Sequence, residues 1–415
     1  MITIQKSAIG TAPGKLDFLG GFQDGSGGLT LQAQTQAKTT VLATEGSDPI
    51  LSITSTQRGQ FKSEIESFKE LLASKPSNSK ITEWFTQFEV PIWARYVAAC
   101  VVLFNREFGW QPNKGLAFAI SSDIPIRVGI GSSAALEVAT LHALEKLSGQ
   151  YFTDRRLAEI AIELEREIIG AHDDVLTQLS SAYGKPGCLI PVRSRPEAIA
   201  TPIELPKGVT IIGFPSEARQ DNPRNAHNNK ILKAAKIGEE IARDQSDSVW
   251  EFATDIQPSR YLKHIKPTLP ESLTGHEITE KFPDLSDGFE SNKTYLIRDA
   301  FSFSIFENHR CSLAAQLLYG MAHNSKRKVT ELLGELMYQS HLNYSLLGLT
   351  SHRTDEMVDA FAQAGADQGI FGARISGFGS GSAIVALVDK KALKIVRDLL
   401  KSFERDTGEV VPLIR

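Results

Sequence analysis

Apolar residues recur along the chain with two different spacings. Where they alternate or cluster over short lengths, the pattern predicts β-strands, at 38–44, 115–125, 188–192, 209–215 and toward the end of 372–388. Where they recur every three or four residues, it predicts amphipathic helices, at 63–75, 93–109, 134–149, 154–171, 226–245, 310–323, 328–348 and 392–408. Residues 245–295 are polar and contain prolines, which favours short helices and loops. The mixture predicts an α+β fold in two domains, which we place at 1–195 and 196–415.

Composition narrows the class of protein. The 415 residues carry 45 Lys+Arg and 49 Asp+Glu, a formal net charge of -4, as in an ordinary globular protein long enough for two domains. A mildly acidic chain has no bulk attraction to nucleic acid or to an anionic membrane surface, so we expect neither as a partner. No stretch reaches the roughly 18 apolar residues that cross a bilayer, and the N-terminus lacks the apolar run of a signal peptide. We therefore expect a cytoplasmic protein.

The three cysteines, Cys100, Cys188 and Cys311, lie far apart in the sequence. Their spacing is neither that of a disulfide framework nor that of a zinc site. We expect each to be a small buried apolar residue in a reducing compartment.

A glycine turn separates a strand-like segment from the strongest helical pattern in the chain. Two glycines allow a tight bend and two serines stand where the helix begins, at Gly129, Gly131, Ser132 and Ser133. The N–H groups and positive dipole end of such a helix favour an anion such as a phosphate, although a well-capped helix after a tight turn has the same pattern. The chain has no Walker P-loop, because its nearest match, at 10–16, is one residue short and lacks the hydroxyl.

Two further segments carry candidate chemistry. APGKLDFLGGFQD (12–24) contains Lys15, a point charge suited to a transferred phosphoryl group, and Asp24, a carboxylate suited to sugar hydroxyls. SGFGSGS (376–382) is a glycine cluster between two strand-like segments, which permits either a flexible turn or a close approach of the backbone to a ligand. Taken alone, a lysine or aspartate such as Lys15 or Asp24 is more often a solvated surface residue.

In their order and spacing, the three segments together resemble the motifs of the GHMP small-molecule kinases. The stretch 12–24 is similar to the first motif of that family, PIRVGIGSSAALEVA (125–139) to its phosphate-binding second motif, and ARISGFGSGSAIVAL (373–387) to its third. The resemblance covers nearly the whole chain and is greatest to the sugar 1-kinases of the galactokinase and L-arabinokinase group. It implies a two-domain α+β fold with the nucleotide site between the domains. It also implies that ATP and Mg2+ are used to phosphorylate the anomeric hydroxyl of a small-molecule sugar.

The resemblance further implies roles for individual positions. Those expected to bind the ATP phosphates, or to shape the loop closing over the nucleotide, are Gly129, Ile130, Gly131, Ser132, Ser133, Ala134, Gly377 and Gly379. Ser133 and Glu165 would hold the magnesium ion, and Lys15 would neutralise charge beside the reacting oxygen. The positions expected to contact the sugar are Asp24, Gly21 and Phe22.

One departure from the family concerns the catalytic base. Galactokinases place an aspartate after the metal-binding glutamate, and the corresponding residue here is Thr177, which cannot act as a general base near neutral pH. Three explanations stay open. Asp173 or Asp174, lying about one helical turn earlier, substitutes as the catalytic residue; or no base is needed, because the phosphoryl-transfer transition state is loose; or the protein is a catalytically silent binder of sugar and ATP.

A second departure concerns the sugar. Galactokinases have Glu-His where this chain has Gly21 and Phe22, and that glutamate addresses the 6-hydroxyl of the sugar. A site without this partner does not require the hydroxyl. The resemblance therefore implies a pentose such as L-arabinose, or a 6-deoxy sugar, in preference to galactose.

Overall fold

A computed structural model describes most of the chain. The residues it describes are 6–22, 26–126, 128–170, 175–184, 187–193, 198–216, 224–245, 250–323, 326–379, 381–407 and 411–414. Three residues singled out in the sequence, Asp24, Asp173 and Asp174, lie outside these ranges.

The described residues form a mixture of strands and helices, which confirms the predicted α+β class. The strands are β1 (Ser7–Leu19), β2 (Leu29–Gly46), β3 (Ile50–Ser55), β4 (Gly59–Glu64), β5 (Gly115–Ser122), β6 (Cys188–Arg193), β7 (Ala198–Ile199), β8 (Ile203–Glu204), β9 (Val209–Pro215), β10 (Leu273–Thr274), β11 (Thr294–Tyr295), β12 (Ile370–Ile375) and β13 (Ala383–Asp389). The helices are α1 (Ile65–Ala73), α2 (Asn78–Gln87), α3 (Ile92–Phe108), α4 (Ser132–Ser148), α5 (Asp154–Glu163), α6 (Val175–Tyr183), α7 (Arg224–Asp244), α8 (Pro258–Arg260), α9 (Gly275–Lys281), α10 (Ile297–Tyr319), α11 (Lys326–Leu346), α12 (His352–Ala364) and α13 (Leu393–Thr407).

Three predicted helices differ from the structure at their limits. The first two residues of the helix predicted at 63–75 complete strand β4 instead. The helix predicted at 154–171 is α-helical only through α5, and a π-helical segment, Leu164–Ile169, continues it. The helix predicted at 310–323 is the second half of α10, whose first half buries residues on several sides and therefore lacks a simple amphipathic period.

The chain divides into two compact units. Unit 1 comprises Met1–Lys15, Gln34–Ile126 and Ile130–Pro186, and unit 2 comprises Leu16–Ala33, Arg127–Gly129 and Gly187–Arg415. The domain limits placed at 1–195 and 196–415, and the placement of a nucleotide site between the domains, stay predictions.

Unit 1 combines strands with a layer of buried helices. Strand β5 pairs antiparallel with the second half of β2, with Thr39 opposite Ser122, and parallel with β3, whose other neighbour is β4. Helix α3 packs against α4, and α5 against α6. Both α3 and α4 consist largely of buried Ala, Val and Leu residues, so they form the centre of this unit.

Unit 2 contains the three-stranded antiparallel sheet β12-β13-β9. Strand β13 is an unbroken apolar run whose residues are buried from Ala383 to Val388, as expected for a strand covered on both faces. Helices α11 and α12 pack against β12. The approach of α11 is unusually close, because a Cβ on Gly372 of β12 would lie 2.4 Å from the Cα of Gly334 of α11. Glycine at both positions lets helix and strand meet backbone to backbone.

The expectation for the cysteines is met in part. Cys100 and Cys311 are buried in α3 and α10, as predicted, whereas Cys188 is only half-buried at the start of β6. Among the helices of the described residues, none combines the length and the apolarity that crossing a bilayer requires.

A buried histidine joins α11, α12 and β12. Nδ1 of His341 accepts a hydrogen bond from the backbone N–H of Ile375 at 3.3 Å, and its Nε2 lies 3.1 Å from Oδ1 of Asp355. Burial lowers the pKa of His341 from 6.5 to about 4; Asp355 and Asp359 oppose this shift, whereas Arg374 adds to it. The folded protein therefore keeps this imidazole neutral.

We expect the His341 pKa to make stability depend on pH. Between about pH 6.5 and pH 4 the unfolded chain binds a proton that the folded protein does not, so the free energy of unfolding falls as the pH is lowered. The slope of this contribution is at most about 1.4 kcal/mol per pH unit. Replacing His341 with Asn, which keeps an acceptor for Ile375, should flatten the profile of urea unfolding measured from pH 4 to 7. The same replacement at the exposed His352 is the control. An unchanged dependence of the unfolding free energy on pH in His341→Asn would contradict the prediction.

Candidate active-site residues

Helix α4 begins directly after the predicted glycine turn. Gly131 caps the helix in a left-handed conformation, with φ 74°, and its carbonyl accepts the first helical hydrogen bond, from Ala135 N–H at 3.0 Å. The N–H groups of the first turn have no intrahelical acceptor, and they lie at the positive end of the helix dipole. The side chains of Ile130 and Ala134 are buried, so these two positions offer only their backbone to a ligand. The arrangement is suited to an anion.

Lys15, Gly131 and Thr177 lie together in unit 1. The backbone N–H of Lys15 donates to the carbonyl of Ile130 at 2.9 Å. A Cβ on Gly131 would lie 2.6 Å from Cγ2 of Thr177 and 3.3 Å from Cγ of Lys15. The residue that replaces the family's aspartate is therefore next to the glycine turn, and the structure brings Lys15 to the same place. Whether Asp173 or Asp174 joins them stays a prediction.

A second group in unit 1 surrounds Glu165. This residue lies in the π-helical segment, a kind of irregularity that is frequent at functional sites, and its side chain is half-buried. Its carboxylate accepts a hydrogen bond from the side-chain amide of Gln178, a fully buried residue of α6. Glu137, one helical turn after Ser133 on α4, is also fully buried. Burial, together with the charge of Glu165, raises the pKa of Glu137 well above its usual range, and the Gln178 amide opposes that rise.

The chemistry of this group fits a hard divalent cation. Within the described ranges, neither carboxylate oxygen of Glu137 has a partner in full hydrogen-bond geometry, although the Gln178 amide is near enough to lower the pKa of Glu137. Burial, followed by the carboxylates of Glu165 and Glu137, also raises the pKa of Tyr96. The described residues include no cluster of three or more His, Cys, Asp or Glu side chains placed to hold a metal. Mg2+ does not need one, since it commonly binds through one or two protein oxygens, waters and substrate phosphates.

Sequence reasoning missed Glu137 and Gln178. A signal was present for the first, because Glu137 is a single acidic residue in the middle of an apolar helical run, AALEVATL. Gln178 had no comparable signal, since its importance comes from a contact with Glu165 that only the fold reveals.

In unit 2, the end of the first motif meets the third. Gly20 and Gly21 have φ of 89° and 97°, a region that favours glycine. A Cβ on Gly21 would lie 2.9 Å from the carbonyl oxygen of Gly377 and 3.0 Å from Oδ2 of Asp17. The Tyr344 hydroxyl lies 2.9 Å from the carbonyl oxygens of both Gly20 and Gly377. Two motifs far apart in sequence thus form one backbone contact.

The third-motif loop is built on left-handed glycines. Gly377 and Gly379 have φ of 63° and 99°, and a Cβ on Gly379 would lie 2.6 Å from the carbonyl oxygen of Leu349. Gly129, with φ 70°, lies against the same loop, since a Cβ there would be 2.7 Å from Oγ of Ser382. Glycine is required at these positions for close packing, which is also what close approach to a ligand needs.

Phe22 lies inside an aromatic cluster. Its ring is 4% exposed and packs edge-on against the rings of Phe303, Tyr344 and Phe378, with centroids 5.8, 6.3 and 6.1 Å away. Helix α7 reaches the same region, where the side-chain amide of Asn228 donates to the carbonyl of Phe378 at 2.7 Å. The surroundings of Phe22 are therefore largely apolar. A sugar contact by Gly21 and Phe22 stays a prediction.

A buried network of charges supports the end of β1. The guanidinium of the fully buried Arg374 donates to the carbonyl oxygens of Asp17 at 3.0 Å and Gly20 at 3.2 Å. The carboxylate of Glu307, also fully buried, accepts from the N–H of Gly20 at 2.9 Å and from Nε of Arg310 at 2.8 Å. Burial alone would raise the pKa of Glu307, but Arg310 and Arg374 bring it below its usual range. The loop that carries Gly20 is therefore held by charged side chains on α10 and β12.

Comparison with known proteins identifies the class. Residues 95–184 match the GHMP kinases N terminal domain and residues 321–405 match the GHMP kinases C terminal domain. The fold resembles that of Lactococcus lactis galactokinase complexed with galactose, with a TM-score of 0.71 and 19% identity over 98% of this chain and 92% of the other. It also resembles Methanococcus jannaschii mevalonate kinase, with a TM-score of 0.62 and 15% identity over 98% and 96% of the two chains. These matches define a two-domain kinase fold.

The chain carries both GHMP kinase domains, the N-terminal and the C-terminal one, in that order. Among proteins of similar sequence, it is 25% identical to the L-arabinokinase of Arabidopsis thaliana over 96% of its own length, but it spans only 44% of the length of that relative. It is 24% identical to the galactokinase of Thermotoga neapolitana over 77% of each chain.

Proposed function

We propose that this protein is a sugar kinase that transfers the γ-phosphoryl group of ATP to the anomeric hydroxyl of a monosaccharide in the presence of Mg2+. The observation that carries the proposal is the convergence of Lys15 and Gly131 at the N-terminus of α4. The likeness to an L-arabinokinase and to galactokinases, one of them a structural neighbour in complex with galactose, adds support.

The residues have distinct tasks in this proposal. The first-turn amides of α4 bind phosphate oxygens, and Lys15 brings a positive charge beside the glycine turn, where charge spreads in the transition state. Ser133 and Glu165 would hold Mg2+, which would neutralise phosphate charge when bound. Asp24 would accept hydrogen bonds from the sugar hydroxyls.

Thr177 bears on how the acceptor hydroxyl loses its proton. A loose transition state requires little activation of the attacking oxygen, so positioning and charge neutralisation are sufficient without a carboxylate at this place. Asp173 and Asp174 are the alternative acceptors. The same threonine favours a second candidate function, a catalytically silent binder of sugar and ATP.

The apolar surroundings of Phe22 support the substrate class that we propose. Neither Gly21 nor Phe22 itself carries a carboxylate that could hold a 6-hydroxyl, and the aromatic cluster around Phe22 is apolar. We propose a pentose such as L-arabinose, or a 6-deoxy sugar, because a hydroxyl left without a partner against this cluster costs about 1–3 kcal/mol.

The proposal is tested with purified protein, ATP and Mg2+ against L-arabinose, L-fucose, D-galactose, mevalonate and homoserine. ADP release and 31P NMR of the product are measured, with calorimetry of ATP and sugar binding in parallel. We expect a sugar 1-phosphate, formed at least about 10-fold faster from the pentose or the 6-deoxy sugar than from galactose. A preference for galactose would overturn the proposed substrate class. Turnover of mevalonate or homoserine alone would overturn the assignment of a sugar as the phosphate acceptor. Binding without turnover would select the silent binder, and no affinity for ATP would overturn both functions.

A further inference from the structure

Gln178 occupies an unusual position for a polar side chain. It is fully buried in α6, and its amide nitrogen donates to the carboxylate of Glu165. Its amide oxygen has no hydrogen-bond donor among the described residues. A buried amide that is only half satisfied costs free energy, so the contact it does make requires an explanation.

The hydrogen bond from Gln178 to Glu165 opposes an effect of the neighbouring Glu137. Glu137 is fully buried, and the negative charge of Glu165 is one of the causes that raise the pKa of Glu137, so the two side chains interact unfavourably when both are ionised. Glu165 is only half-buried, so a flexible glutamate at this place would lower its energy by turning away from Glu137 toward water. The hydrogen bond from Gln178 ties one of its oxygens against that tendency.

The chemical type of the donor is also informative. A lysine or arginine at residue 178 would neutralise Glu165 and would compete with a bound cation. A neutral amide fixes the orientation of the carboxylate without cancelling its negative charge. Supporting hydrogen bonds of this kind are typical of carboxylates that bind metals.

We propose that Gln178 is a positioning residue, which holds the Glu165 carboxylate in the orientation in which it binds the divalent cation. The inference rests on the proposed role of Glu165 toward Mg2+ and deepens it. Gln178 itself touches neither substrate nor metal. Its neighbour Thr177 contacts the glycine turn, so one turn of α6 supports both the phosphate loop and the metal carboxylate.

The test compares three variants of the full chain. Gln178→Leu removes the donor at nearly constant volume, and Glu165→Ala removes the carboxylate. Ser181→Ala is the matched control, because Ser181 is buried on the same helix and donates to the carbonyl of Pro13 at 3.2 Å, away from Glu165. Gln178→Met serves as a second variant if the leucine protein does not fold. Mn2+ affinity is measured by EPR with a non-hydrolysable ATP analogue, and kcat is measured against Mg2+ concentration.

We expect Gln178→Leu to weaken Mn2+ binding by about 10–100-fold and to recover most of its kcat at saturating Mg2+. Glu165→Ala should weaken binding further without recovery, and Ser181→Ala should match the unmodified protein. Wild-type Mn2+ affinity in Gln178→Leu, with Glu165→Ala impaired, would overturn the positioning role while leaving the metal role of Glu165 intact. Wild-type affinity in Glu165→Ala would overturn both.

Discussion

Replacing Glu307 with glutamine is expected to lower the free energy of unfolding by about 3–5 kcal/mol. The carboxylate is fully buried and accepts hydrogen bonds from Gly20 N–H, the Ser340 hydroxyl and Arg310. It also lies 4.0 Å from the guanidinium of the fully buried Arg374. Removing its charge takes away the anion paired with Arg310 and one of the two carboxylates that act on Arg374, the other being Asp17. Breaking one half of a buried ion pair costs more than the pair itself contributes.

Urea unfolding followed by circular dichroism measures this effect. The control is Arg327→Gln, which removes an exposed arginine that pairs with Glu331 and Asp367 on the surface of unit 2, and it should leave the unfolding midpoint unchanged. If Glu307→Gln unfolds at the same urea concentration as the unmodified protein, the network does not support the fold in the way described.

Replacing Gly131 with alanine is expected to reduce kcat/KM for ATP by at least about 100-fold. The new Cβ would lie 2.6 Å from Cγ2 of Thr177, so the turn or α6 has to shift. The backbone is also left-handed there, at φ 74°, which costs an alanine about 1 kcal/mol. A shift of the turn moves the first-turn amides of α4, and with them the groups proposed to bind phosphate.

Two further variants separate the causes. Gly149 caps the other end of α4 at φ 81° with nothing within 4 Å of its Cβ position, so Gly149→Ala has the same backbone strain without the collision. It should keep full activity with slightly lower stability. Adding Thr177→Ser to Gly131→Ala removes the colliding methyl group and should restore part of the activity. Full activity in Gly131→Ala would remove the glycine turn from the nucleotide site.

The sequence predicted best what depends on neighbouring residues. The turn at Gly131 and helix α4 follow from local glycine chemistry and a strong helical period, and both were found where expected. Strands β9 and β13 were also visible, because an apolar run bounded by turn signals predicts a buried strand. The three family motifs are equally local in character.

What the sequence did not reveal depends on contacts between distant segments. Glu307 and Arg310 look like surface residues of a helix, and only the return of Arg374 on β12 makes their burial favourable. The start of α10 was missed for the same reason, since burial on several sides removes the amphipathic signal. The contact of Gln178 with Glu165 joins α6 to a π-helical segment, which no residue pattern in the sequence predicted.

The backbone contact between Gly334 and Gly372 has a mechanical consequence. No side chain lies between helix α11 and strand β12 at that point, so nothing compressible separates them. The loop that follows Ile375 is therefore attached to a rigid pair of elements, α11 and β12. A shift of the left-handed backbone at Gly377 or Gly379 is therefore not driven by sliding of α11 over β12.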